Sequence, residues 1–419
     1  MTGHVIIFED EGYRNLYPLT LNHPVYSLRC GITVLAEKIR RAYDGATVGH
    51  HVRTILTPFL KAYLQQKKYD PQVNECHRDN ALLVNGRALV SEEFAKAIPV
   101  RGPDTLYVKG DTVVAARLSG ANLAAVDWHQ PIYLERLPSV SKTEIDAAMI
   151  TYPWDLIHRN AEEITREFKT LAKPAEIEGT VYDGVHILAR ENVYIAAGAE
   201  VKPGVVIDAE EGPVFIDENA KILPNAVIEG PAYIGQKTAI KISAKIYEGT
   251  SIGPVCKVGG EVEESIIHSY SNKQHEGFLG HAYIGMWVNL GADTNNSDLK
   301  NDYGNIKVTI NGKEIDTGSQ FVGCTIGDHS KTGINSMLNT GTVVGLGCNL
   351  YGADFPPKYV PSFSWGGAEG LIEYRIDKFI QVAKRVMARR SIDLGPEEEQ
   401  LLRKIHEMTA HERRAVGVK

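Results

Sequence analysis

Between residues 216 and 262 large and small apolar side chains alternate with a period of six. Ile216, Ile222, Ile228, Ile234, Ile240, Ile246, Ile252 and Val258 hold one phase, and Ala220, Ala226, Ala232, Thr238, Ala244, Thr250, Cys256 and Val262 follow four places after each. One such unit cannot cover its own apolar face, so copies stack into a continuous core. Three hexads per turn predict a triangular coil, with each aliphatic residue pointing inward from a short flat strand and the small residue beside it. The period is also read at Val181, Ile187, Val193, Ala199 and Val205, and at Ile326, Thr332, Leu338, Val344 and Leu350, so the coil is predicted over residues 178–353. Two segments interrupt it, Glu263 to Gly277 and Asn295 to Gln320. A coil needs no extra residues to close, so insertions point to another purpose. Cys256, Cys324 and Cys348 fall on the small inward position and are read as packing residues.

The flanks follow other rules. Val5-Ile-Ile-Phe8 and Ala81-Leu-Leu-Val84 read as buried strands, while Ile32, Leu35, Ala36, Ile39 and Tyr43 follow helical spacing. Thr57-Pro58 marks a helix start, with proline in the first turn. Alternating strands and helices over residues 1–155 predict an α/β layer with a mainly parallel sheet. A helical connector over residues 156–177 is expected to stop at Pro174. After the coil, the proline-rich Asp354 to Pro361 is expected to lead the chain away from its open end. In the tail, residues 354–419, Ile372, Ile376, Phe379, Ile380, Ala383, Val386 and Met387 form one apolar helical stripe, with Lys378, Lys384, Arg385, Arg389 and Arg390 on the solvated remainder. Gly395-Pro396 breaks that helix, and Leu401, Leu402, Ile405 and Met408 mark a second.

Composition narrows the function classes. A length of 419 residues fits two or three domains, and a net charge of −7 lacks the positive field of a nonspecific nucleic-acid binder. No leader segment and no spanning apolar run is read, and five cysteines without a CxxC pair signal neither a disulfide framework nor a zinc knuckle. A cytoplasmic protein acting on small molecules is expected, with no membrane or nucleic-acid partner.

The coil resembles the left-handed parallel β-helix of the hexapeptide-repeat transferases. The segment His275-Glu-Gly-Phe-Leu-Gly280-His-Ala-Tyr-Ile-Gly285, followed by Asn289-Leu-Gly-Ala-Asp-Thr294, makes the resemblance specific. It is similar to the acetyltransferase half of the bifunctional N-acetylglucosamine-1-phosphate uridyltransferase/glucosamine-1-phosphate acetyltransferase family. That likeness implies His275 as the general base toward a sugar amine, Asn289 as a catalytic partner, and Asn301, Tyr303 and Lys307 as substrate contacts. Imidazole suits the role, because a base of near-neutral pKa needs little tuning, and an amide side chain can donate to a developing oxyanion. An asparagine ladder at a coil corner is the alternative for Asn289. Two departures stand out. Phe278 replaces a tyrosine, and Glu263 replaces a lysine that would hold the sugar phosphate, leaving Lys257, Lys273 or Lys245 to supply that charge.

The first domain resembles the family's nucleotidyltransferase half in Arg14 and Pro18-Leu19-Thr20, and Asn85 lies at the end of the strand that precedes Gly86-Arg87. Arg14, Thr20 and Asn85 are therefore candidates for nucleotide binding. A lone Gly12, Val25 in place of a lysine, and Arg87 where a magnesium-binding Asp is expected all depart from the pattern. Motifs such as Tyr152-Pro-Trp-Asp155 and Val258-Gly-Gly-Glu261 extend the likeness to sugar-nucleotidyltransferase-like proteins along the whole chain. An α/β nucleotidyltransferase-like (Rossmann-like) domain, a left-handed β-helix and a helical tail are implied, as a homotrimer.

The leading expectation is an acetyl-CoA-dependent N-acetyltransferase for an amino-sugar phosphate, with an altered nucleotidyltransferase domain. The alternatives are nucleotidyl transfer from NTP to a sugar 1-phosphate, requiring Mg²⁺, and a noncatalytic nucleotide-sugar binding or scaffold protein. Metal-dependent hydration through His268, His275 and His281 is a weaker reading, because their spacing differs from the His-x4-His of the γ-type carbonic anhydrases. No metal site is assigned.

Overall fold

The structure, a computed structural model, describes residues 3–172 and 176–419. Apolar runs in the first domain build a six-stranded sheet from β1 (His4–Phe8), β2 (Thr47–His50), β3 (Asn80–Asn85), β4 (Thr105–Lys109), β5 (Thr112–Ser119) and β6 (Ser141–Glu144), in the order β2-β1-β3-β5-β4-β6. The sheet is mainly parallel with one reversed strand, as expected apart from that strand: β1 pairs parallel with β2 and β3, and β4 with β6, while β5 runs antiparallel to both β3 and β4. Only Gly110 and Asp111 separate β4 from β5, a connection too short for a crossover helix. Helices Leu35–Ala42 and Thr57–Gln66 form as the spacing predicts. The connector helix is Asn160–Leu171, and the expected stop at Pro174 lies outside the described residues.

The next domain is a three-faced left-handed parallel β-helix. Every inward residue from Ile216 to Val258 is fully buried, as are their small neighbours within 1%. Burial pushes the thiols of Cys256, Cys324 and Cys348 up to about 12, which fits packing rather than chemistry. The earlier phase needs correction. Ile216 pairs with Ile195, and Ile222 with Val201, so Val193, Ala199 and Val205 occupy the small inward position. Extra corner residues at Arg190–Asn192 and again around Glu210 shift the phase twice.

The two interruptions differ in kind. Through the first, the coil never breaks. Ser251-Ile252 pairs with Ile266-Ile267, and Lys257-Val258 with Asn272-Lys273, so coils shorten at their corners instead of bulging out. In the second, Asn295–Asn296 still pairs with Met337–Leu338, and only the following residues leave the coil as a hairpin of Lys307–Ile310 against Lys313–Asp316. The hairpin folds back on its own chain, where Ile306, Val308 and Ile310 pack around Trp154 and Val343.

The coil also runs further than predicted. Tyr359–Val360 pairs with Val343-Val344 and Ser364–Gly367 continues the next face, so the prolines of residues 356–361 sit in a corner and its approach rather than in an exit. Ile372 is 53% exposed in a strand that hairpins onto Ser364–Gly367, so the apolar stripe starts in the following helix, Ile376–Ala388, through Phe379, Ile380, Ala383 and Met387. Helix Pro396–Met408 follows, packed through Leu401, Leu402 and Ile405.

One apolar core joins the first domain to the coil and the tail, including Leu60, Trp287, Phe363, Phe379 and Leu402. Polar contacts fix the docking. Asp328 of the coil accepts from His23 Nε2 at 2.6 Å and Asn22 Nδ2 at 3.0 Å, while Tyr283 Oη accepts from Arg29 N at 2.9 Å. No helix among the described residues is long and apolar enough to cross a membrane.

Candidate functional site

The corner that carries His275 is built from unusual coil residues. Val258 aligns with Lys273, so the Lys273 side chain takes an inward position where lower coils have an aliphatic one. Lys273 is only 2% exposed, and its Nζ donates to the carbonyls of Gly259 at 3.0 Å and His275 at 3.1 Å. Burial lowers this amine to about 8. Gly260, at φ +72°, leaves room for the contact, since a Cβ there would lie 2.6 Å from Lys273 Nζ. Gly277, at φ +116°, lets the far side of the corner pass Thr294, whose carbonyl would sit 2.3 Å from a Cβ. Lys273 therefore cannot present its amine to a substrate as expected. It anchors the turn that holds His275.

His275 itself is exposed, and among the described residues its ring has no hydrogen-bond partner. The other two histidines of the segment are committed. His268 has both ring nitrogens bonded, to Ser269 Oγ at 2.9 Å and Ser27 O at 2.8 Å, and burial lowers it to about 4. His281 lies between Asp298 at 2.9 Å and Glu264 at 3.2 Å. Burial acts against its charge, but the hydrogen bonds and charges of both carboxylates prevail and raise it to about 9. His268 and His281 thus serve separate partners, and among the described residues no group of three or more His, Cys, Asp or Glu side chains could hold a metal ion.

Asn289 sits one coil above Asn272, with Asn272 Nδ2 3.5 Å from Asn289 Oδ1, at the limit of a hydrogen bond, so the two amides stack as a short ladder. Both stand in an outward row, Lys257, Asn272, Asn289 and Lys331, on the face that leads into the His275 corner. Arg390, beyond the helix Ile376–Ala388, donates through Nη2 to Asn272 Oδ1 at 3.1 Å. The sequence motif contained Asn272 without assigning it, and Arg390 was read as solvated helix surface. Only the register of the coil brings the two together.

The remaining acceptor-side candidates are scattered. Asn301 and Tyr303 are exposed at the start of the inserted segment, Tyr303 at 65%, and Lys307 lies on the hairpin paired with Glu314 at 3.0 Å. Glu263 is partly buried, and burial raises its carboxyl.

In the first domain the loop expected to cradle phosphates is closed by its own charges. Arg87 donates from Nε to Asp10 Oδ1 at 2.7 Å and from Nη1 to Ile150 O at 2.8 Å, and its guanidinium lies against Gly12. Arg53 Nη1 bonds both oxygens of Glu9, at 2.8 and 3.0 Å, and its Nη2 donates to the carbonyls of Leu21 and His23. Two of the three nucleotide-binding candidates are sealed. Thr20 is buried and donates to Tyr13 O at 2.8 Å; Asn85 is buried, donating to Asp10 Oδ2 and Val113 O while accepting from Arg87 N. Arg14 is exposed, paired with Glu11 at 2.6 Å, and its carbonyl accepts from Asn311 of the inserted hairpin.

An α/β domain docked on a hexapeptide coil is the arrangement of a transferase of the nucleotidyltransferase and acyltransferase class. A family model described as sugar nucleotidyl transferase matches residues 5–176. A bifunctional sugar-1-phosphate nucleotidylyltransferase/acetyltransferase of Sulfurisphaera tokodaii is 35% identical over 305 residues, 65% of this chain and 73% of that protein. The bifunctional protein GlmU of Bartonella quintana is 27% identical over 251 residues, 57% of this chain and 51% of its own length. The chain belongs to this family of bifunctional sugar-1-phosphate nucleotidylyltransferase/acetyltransferases. A UDP-N-acetylglucosamine acyltransferase structure from Francisella novicida aligns with 54% of this chain and 78% of its own, at 16% identity and a TM-score of 0.23.

Proposed function

We propose that the protein is an acetyl-CoA-dependent N-acetyltransferase acting on an amino-sugar phosphate, with His275 as general base. The observation that carries this reading is the contrast among three neighbouring histidines: two are saturated by protein partners and His275 alone offers a free ring to solvent. In the reaction the sugar amine attacks the thioester carbonyl, a C–N bond forms and the C–S bond breaks. The amine proton passes to the imidazole and from there to the departing thiolate of CoA. General-base help of this kind contributes about 10²–10⁴-fold. Asn289, exposed in the same face, donates its amide N–H to the oxyanion of the tetrahedral intermediate. A homotrimer, in which the coil faces of neighbouring copies frame the His275 corner, and a cytoplasmic location belong to this reading.

In the same reading the first domain does not transfer nucleotides. The loop carboxylates Glu9 and Asp10 do not fit Mg²⁺, since each is saturated by an arginine. The family match over residues 5–176 favours a second reading, nucleotidyl transfer from an NTP to a sugar 1-phosphate, with the exposed Arg14 on the phosphates.

Acetyl transfer from labelled acetyl-CoA to glucosamine 1-phosphate tests the first reading. Activity in the wild type and its loss in His275→Gln, with melting temperature unchanged, is the expected result. Equal turnover in the variant removes His275 as base, and pyrophosphate release from UTP with a sugar 1-phosphate establishes the second reading.

A further inference from the structure

The inserted segment leaves the coil after Asn295–Asn296, and one residue grips both of its ends. Leu299 bridges antiparallel to Phe321 across the neck, while His281 has Nδ1 2.9 Å from Asp298 Oδ2 and its ring stacked on Phe321 at 5.1 Å. The body is a wedge. Ile306, Val308 and Ile310 are buried between Trp154 of the first domain and Val343 of the coil. The two strands turn at Asn311-Gly312, with φ +51° and +71°, and left-handed conformations at both central residues make the rigid two-residue connection of a type I′ hairpin. Its tip reaches the first domain. Asn311 Nδ2 donates to Arg14 O at 2.7 Å, a contact that spans 297 positions.

That carbonyl lies within the loop at residues 9–25. The flanks of the loop are locked from inside the domain, by the Arg87 guanidinium against Gly12 and by Arg53 on the carbonyls of Leu21 and His23. Between them, in the turn Glu11–Leu16, Arg14 is exposed and pairs with Glu11 three residues back. Arg14 O also accepts from Tyr17 N at 3.3 Å, so with the tip in place both of its lone pairs are filled. Beside the tip, a cavity of about 20 Å³ lined in part by Tyr17, Pro18, Leu21, Thr309, Asn311 and Tyr359 has room for one water and nothing larger. The hairpin thus fills the space between loop and coil. Buried apolar contacts fasten its body, but the tip hangs on an exposed neutral hydrogen bond, worth about two- to tenfold in an equilibrium. Such a tip can let go while the body stays folded.

We propose that the hairpin of residues 307–316 is an autoinhibitory strap: its tip keeps residues 11–18 shut against the coil, and release of the Arg14 carbonyl opens them to a nucleoside triphosphate. The strap stands apart from the N-acetyltransferase reading. It rests on the second reading, with Arg14 on the phosphates, only for the choice of ligand.

Trypsin and UTP test it on the full chain, because the carbonyl that Asn311 holds is the scissile one for cleavage after Arg14. Asn311→Gly and Asn311→Asp each keep a residue that a type I′ turn accepts and each lose the donor, so the melting temperature is expected to stay unchanged. Cleavage between Arg14 and Asn15, and hydrogen exchange over residues 11–18, are expected to rise at least threefold in both variants, with exchange over residues 306–316 unaltered. In calorimetry UTP affinity is expected to rise by a similar factor. Cleavage and exchange equal to those of the wild type overturn the strap, even if the wild type releases pyrophosphate from UTP and the second reading stands. A loop that opens in the variants while UTP affinity is absent or unchanged overturns the gating role, and the second reading then stands or falls on pyrophosphate release alone.

Discussion

The loop at residues 9–25 and the corner at residues 272–277 both carry chemistry-bearing side chains, yet they treat charge in opposite ways. In the first, each buried carboxylate has its own arginine, Glu9 with Arg53 and Asp10 with Arg87. In the second, the His275 imidazole has no hydrogen-bond partner among the described residues, and the buried amine of Lys273 is spent on two backbone carbonyls that fix the turn. A side chain satisfied inside the protein supports the fold; one left unsatisfied at the surface is available to a ligand. That contrast is what favours the coil corner over the loop in the proposed function.

The largest expected effect breaks the comparison on the coil side. His275→Gln should lower kcat for acetyl transfer by about 10²–10⁴-fold, while Arg14→Ala should leave it unchanged; steady-state assays with acetyl-CoA check both. On the loop side, Arg87→Met strands the Asp10 carboxylate in a buried setting. A stability loss of about 3–5 kcal/mol is expected in urea unfolding, against less than about 1 kcal/mol for Lys257→Met, which loses no ion pair.

The His281 ring sharpens the contrast through pH. Its folded pKa, about 9, stands above the ordinary 6.5, so the stabilisation is complete below about pH 6.5 and is lost as pH rises toward 9. A difference of about 3 kcal/mol is the upper scale of that loss. Melting curves of wild type and His281→Asn should therefore converge as pH rises from 6.5 to 9. Lys273 shifts the other way, which makes the difference between the two proteins the proper quantity to read. The smallest effect is expected from Lys273→Met. Replacing a buried amine without a carboxylate by an apolar side chain should leave stability nearly unchanged, while the freed carbonyl of His275 loosens the corner and lowers kcat about tenfold.

Much of this architecture is legible in the sequence where one residue type meets one environment. From Ile216 to Val258 every sixth residue is aliphatic because every sixth residue points inward. The reading fails where corner lengths vary. Extra corner residues near Arg190 moved Val193, Ala199 and Val205 into the other class of inward position, and shortened corners made the coil around Lys273 look like an insertion. The last turn, through Tyr359–Gly367, was hidden by prolines that a coil corner tolerates and a strand does not. Among site residues, His275 was visible through its motif. The burial of Thr20, Asn85 and Lys273 was not, because a buried polar side chain with internal partners looks like any other polar residue until the partners are placed. Arg390 was equally hidden, since its contact with Asn272 spans 118 positions.

The central claim is that chemistry belongs to the His275 corner and that the loop at residues 9–25 is closed to nucleotide. Acetyl transfer to glucosamine 1-phosphate and pyrophosphate release from UTP, followed in one preparation of wild type and His275→Gln, tests it directly. The account predicts acetyl transfer in the wild type alone and no pyrophosphate from either protein. Pyrophosphate release at equal rates in both, without acetyl transfer, would contradict it.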